Sequence, residues 1–172
     1  GINATNFAAP ATQLANGVVQ GAVAANVADN KTIRSGAFWQ GDLNCGLEMY
    51  WKIDNNATNL WEVGFVDPLT SYADLAINDI DTPSITNGAA DVAIVGQNTA
   101  ESLTTMAFIT DGSTSNFNTT KTDLGTRTPT NATYMTVRVQ IAADAARCWV
   151  FGANGELQEA AQHGRLTANS IE

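Results

Sequence analysis

The sequence predicts an all-β protein, a sandwich of two antiparallel sheets. Three observations carry that prediction. Several stretches alternate apolar and polar residues with a period of two, which is the signature of half-buried strands. The Asn-Gly pairs Asn87-Gly88 and Asn154-Gly155 give strong tight-turn signals. No long stretch carries the period of an amphipathic helix, and about nine short strands joined by polar turns fit a two-sheet sandwich.

The clearest alternation is Leu47–Asp54, with Leu47, Met49, Trp51 and Ile53 on one side and Glu48, Tyr50, Lys52 and Asp54 on the other. After the polar stretch Asn55–Asn59, Leu60–Asp67 places Trp61, Val63 and Phe65 together, opposed by Glu62 and Gly64. A short Asn-rich connection between alternating runs predicts a hairpin, expected at the centre of the larger sheet. Trp39, Trp51 and Trp61, three of the chain's four tryptophans, fall in or near it.

The first 28 residues contain no charged side chain. Pro10, Gly17 and Gly21 argue against one continuous helix there, although Ala11–Ala15 fits a helical turn. The expected organisation is therefore an arm over 1–28 and a β-sandwich domain over 29–172. An uncharged arm is poorly soluble as a free tail, so it is expected to be ordered by contact, mostly with other chains, through Phe7, Leu14, Val18, Val19 and Val23.

Further strands are predicted at Lys31–Arg34, Asp91–Gly96, Ser102–Thr110, Tyr134–Ile141, Arg147–Gly152 and Glu156–Ala161. A short one is expected after Ser35, between Gly36 and Gly41, and a weak one within 113–131. Residues 71–90 and the tail from His163 onward read as loop.

At 172 residues the chain is long enough to bury a core without disulfides. Eight basic residues against 17 acidic ones give a net charge of −9, which opposes phosphate backbones and anionic lipid. Nucleic acid and membranes are therefore not expected partners, and no apolar run has the ~18 residues a membrane span needs. The chain opens on Gly1 without a basic-then-apolar leader, and removal of a preceding segment is expected. Charged residues are only 15% of the total, so Asn, Thr, Ser and Gln must supply most of the polar surface. That composition is common in extracellular and virion β-proteins and suits a chain packed against neighbours.

Cys45 and Cys148 read as buried or half-buried thiols; their spacing leaves a bridge between sheets open. Asn-x-Thr triplets such as those at Asn3, Asn56, Asn118 and Asn131 are explained by chance in a chain so rich in Asn and Thr.

The order of these blocks resembles the concanavalin-A-like (lectin or laminin-G-type) jelly roll, in the versions found in structural proteins of tailed bacteriophages. The stretches that carry the resemblance are LEMYWKIDNNATNLWEVGFVD, DVAIVGQNTAESLTTMAFITDG and TPTNATYMTVRVQIAADAARCWVFGANGEL, within roughly residues 45–161. The family usually closes with a further strand, whereas this chain stops at Ile171-Glu172, so a processed C-terminus, the arm or a neighbour is expected to fill that place.

The resemblance implies a virion surface protein without enzymatic activity, a capsid decoration or cement protein that forms homo-oligomers and binds the major capsid protein. The alternative is a carbohydrate-binding module, with Tyr50, Trp149 and Phe151 as ring-stacking candidates if they face outward. Some relatives of this fold are glycoside hydrolases with paired carboxylates on one strand. Here Glu48, Asp54 and Glu62 have no same-face partner two residues away, so no catalytic pair is expected. His163, the sole histidine, is expected in an exposed loop beside Gly164 and in no catalytic constellation. No cofactor is expected. Calcium is the ion that the fold brings into question, with Asp42, Asp79 and Asp81 as loop carboxylates, but their spacing fits no defined calcium loop.

Overall fold

In the computed structural model the described residues are 2–5, 32–35, 44–53, 60–66, 76–77, 80, 82–83, 91–98, 106–112, 120–125 and 133–164. Two compact units divide the chain, Gly1–Phe38 with Ser71–Asp74, and Trp39–Thr70 with Leu75–Glu172. In the first unit, β1 (Ile2–Thr5) pairs antiparallel with β2 (Thr32–Ser35). The proposed arm contacts Phe7, Leu14, Val18, Val19 and Val23 lie outside the described residues, as do Ala11–Ala15.

The second unit is all-β among its described residues. It holds β3 (Cys45–Trp51), β4 (Leu60–Val66), β5 (Asp91–Asn98), β6 (Ala107–Gly112), β7 (Thr120–Asp123), β8 (Met135–Ile141), β9 (Ala145–Phe151) and β10 (Leu157–Gly164). These form two antiparallel sheets of four strands, in the orders β10-β9-β8-β3 and β4-β5-β6-β7. The chain crosses from the first sheet to the second after β3 and returns before β8.

The expected hairpin between 47–54 and 60–67 does not form. Strand β3 pairs with β8, Met49 opposite Val137, while β4 pairs with β5, Val63 opposite Val95. Each strand ends the order of its own sheet rather than sitting at a centre. The alternation located the apolar faces correctly but did not say whether those faces lie side by side or opposed. Here they are opposed, and Trp51 meets Trp61 edge-on with ring centroids 4.7 Å apart. An aromatic pair in this geometry adds about 0.5–1.5 kcal/mol beyond area burial.

The inner faces make one apolar layer. Val137, Val139, Cys148 and Val150 from one sheet bury with Val63, Val95 and Phe108 of the other and with Met106, just before β6. The second sheet is buried on its opposite face as well, where Val92, Ile94, Ala107 and Ile109 pack with Ala76, Ile77 and Ile80. Burial on both sides explains why β5 and β6 read as nearly continuous apolar runs.

No disulfide joins Cys45 and Cys148, which stand on the same sheet. Cys148 lies in the core, and burial pushes its thiol up to about 12. The acidic turn after β8 is tighter than expected, because Ala145 and Ala146 already belong to β9.

Gly64 marks the closest approach in the second sheet. Its φ is +155°, and a Cβ there would fall 2.2 Å from the Ala93 carbonyl oxygen and 2.8 Å from the Ile94 Cα. Both obstacles are backbone, so neither can move aside cheaply. Gly64→Ala is expected to lower stability by at least about 1–3 kcal/mol, the usual cost of strained backbone, read as an earlier urea midpoint. An unchanged midpoint would show that β4 and β5 are not held this closely.

Candidate functional site

The outer face of the β10-β9-β8-β3 sheet presents three rows of side chains set by the strand register. Gly46, Gln140, Arg147 and Gln162 form the first row. Glu48, Arg138, Trp149 and Ala160 form the second, and Tyr50, Thr136, Phe151 and Leu157 the third. The three ring-stacking candidates, Tyr50, Trp149 and Phe151, therefore share one outward face. Tyr50 is 61% exposed, and Trp149 and Phe151 are half-buried among their neighbours.

Polar side chains order this face. Arg138 donates from Nε to the Glu48 carboxylate at 2.8 Å, and its Nη2 bonds the same oxygen. Its guanidinium also lies 5.6 Å from the centre of the Phe151 ring. Arg147 donates to both carboxylate oxygens of Asp144, at 3.2 and 2.6 Å, and from Nε to Gln162 at 2.9 Å. The Asp144 carboxyl is held below its ordinary range by that bonding to Arg147. Tyr50 stacks on Tyr134 at 4.7 Å and 14°. Tyr50 and Phe151 thus each have a partner on the ring, whereas Trp149 separates two shallow hollows. Gly46, Leu47, Glu48, Arg138, Gln140 and Trp149 line one of about 270 Å³. Arg147, Trp149, Ala160, Ala161 and Gln162 line the other, of about 240 Å³.

Sequence reasoning found the three aromatics and missed their setting. The alternation had already put Glu48 and Tyr50 on the polar side of their strand. Only the register brings Arg138 onto Glu48 and sets Ala160 beside Trp149.

The candidate carboxylates do not converge. Glu48 lies on the outer face of one sheet. Glu62 belongs to the other, where it accepts hydrogen bonds from the Ala76 and Ile77 amides at 2.9 and 2.8 Å. It clamps that segment over the sheet's second face, and burial raises its carboxyl to about 7. Asp54, Asp42, Asp79 and Asp81 lie outside the described residues, and among the described residues no group of three or more metal-ligating side chains gathers.

His163 is neither exposed nor in a loop. It sits on β10, only 6% exposed, with Nδ1 2.7 Å from the Thr110 hydroxyl and Nε2 2.9 Å from the Thr122 hydroxyl. Its ring packs on Phe108 at 4.6 Å. A bulge between Leu157 and Glu159 shifts the alternation by one residue, so Ala161 and His163 turn inward while Leu157 stays out, 57% exposed. The imidazole thereby joins the two sheets, since Thr110 and Thr122 belong to the other one. Burial lowers its pKa from 6.5.

Comparison with protein-family models, with curated proteins and with solved structures finds no match.

Glu62 and His163 give stability opposite dependences on pH. Glu62 is protonated more readily in the fold than in the unfolded chain, so its contribution is full below 4.5 and is lost as pH rises through about 7. His163 is protonated less readily in the fold, so its contribution is present above 6.5 and is lost as pH falls toward its lower folded value. Urea unfolding across this range should show Glu62→Gln gaining on the wild type as pH rises from 4.5 to 7. His163→Gln should gain on the wild type as pH falls below 6.5. Differences that stay constant with pH would contradict these assignments.

Proposed function

We propose that this chain is a non-enzymatic carbohydrate-binding module whose recognition surface is the outer face of the β10-β9-β8-β3 sheet. The observation that carries the reading is Trp149, an outward indole between two hollows edged by Arg, Glu and Gln side chains. A sugar ring is apolar on its C–H face and polar around its rim. An indole meets the former, and guanidinium, carboxylate and amide groups match the hydroxyls. Convergent polar groups around an apolar floor are the usual composition of a small-ligand site. The concanavalin-A-like jelly roll that the sequence resembles includes lectins, which fits the same reading.

A glycan array probed with the full chain should give binders that Trp149→Ala abolishes while the melting temperature stays within about 2 °C. An array with no binder above background would sink the proposal.

A second reading has its own support. The uncharged first 28 residues suit burial between subunits, and together with the phage-type resemblance they favour a capsid decoration protein that forms homo-oligomers on a virion surface. Deletion of residues 1–28 should then leave a cooperative melt but abolish assembly and capsid binding. Normal assembly of the truncated chain, or its failure to fold, would overturn this reading.

A further inference from the structure

The hollows on either side of Trp149 owe their existence to two small residues. Gly46 stands exposed at the end of the first row, and a Cβ there would meet nothing within 4 Å. Ala160 stands exposed on β10, directly opposite Trp149 in the register. The positions around them carry long side chains: Glu48, Arg138, Gln140, Arg147 and Gln162. Each hollow therefore has a small-residue floor and a polar edge, and the indole is the wall they share.

The face runs across four strands, from β3 to β10. Three inter-strand steps span roughly 14 Å, longer than a single sugar ring. The charges around Trp149 also cancel. Arg138 is bonded to Glu48, and Arg147 is bonded to Asp144. With a net charge of −9 on the whole chain, nothing in this arrangement draws an anionic ligand inward. Paired forks of this kind still offer donors and acceptors side by side, which suits the hydroxyls of an uncharged sugar.

We infer that this face takes a neutral, extended oligosaccharide lying across the strands, with one subsite over Gly46, a second over Ala160, and Trp149 between them. The inference rests on the carbohydrate-binding reading and adds ligand charge, ligand length and the direction in which the chain lies.

Titration calorimetry of the full chain tests it, with neutral gluco-, manno- and galacto-oligosaccharides from mono- to hexasaccharide and with oligogalacturonates and sulfated oligosaccharides. Affinity for at least one neutral series should climb with length until the ligand spans the face, then level off. Gly46→Gln and Ala160→Gln each fill one hollow. Each should weaken the longer oligomers by about tenfold, with circular dichroism and melting unchanged. A neutral ligand whose affinity ignores length, or ignores both substitutions, overturns the two-subsite arrangement and leaves the carbohydrate reading standing. Binding confined to the anionic series overturns the neutral-ligand inference alone. No heat with any saccharide overturns both.

Discussion

The apolar layer between the two sheets is the constraint on which the rest of the structure depends. Val137, Val139, Cys148 and Val150 face Val63, Val95, Met106 and Phe108 across it. Each fully buried Val, Met or Phe side chain contributes on the order of 1.5–3 kcal/mol relative to exposure. Within that layer the orientation of every strand is fixed, because a slip of one residue would turn its apolar set outward. The rows on the outer face are a by-product of the same rule. Once Val137 and Val139 point inward, Arg138 can only point out, and the register then delivers it to Glu48.

The two sheets are treated unequally. One is covered on both faces, with Ala76, Ile77 and Ile80 over the far side and Glu62 fastening their backbone. The other has a single buried face and leaves its second to solvent. A carboxylate whose pKa sits near 7 is an uncommon fastener, since it must be desolvated to reach the two amides it serves. His163 solves the reverse problem. It places a polar ring inside the layer, and two threonine hydroxyls from the opposite sheet satisfy both nitrogens.

Much of this was legible in the sequence, and the failures have physical causes. Strand positions and inward faces followed from alternation, as at Met49, Trp51, Trp61 and Val63, because burial on one side leaves a period of two. Strand partners did not. Residues 47–54 and 60–67 read as neighbours, yet their apolar faces oppose one another across the core, and alternation is the same in either case. His163 was misplaced because a bulge leaves no mark in composition, and one extra residue reverses every side chain beyond it. The aromatic candidates on the outer face were readable as residues. The small positions that give Trp149 its surroundings were not, because Gly46 and Ala160 acquire meaning only from what stands beside them in the sheet.

The two thiols differ in a way that makes the protein its own reporter. Cys45 is half-exposed on β3, next to Gly46 at the edge of the outer face, whereas Cys148 is sealed in the core with its thiol pushed up to about 12. An alkylating dye added to the native protein would attach to the first, placing a fluorophore beside one hollow. The second reacts only when the sheets part, since a thiolate must form and be reached. The slow phase of labelling therefore clocks the opening of the sandwich, while the fast phase marks its surface.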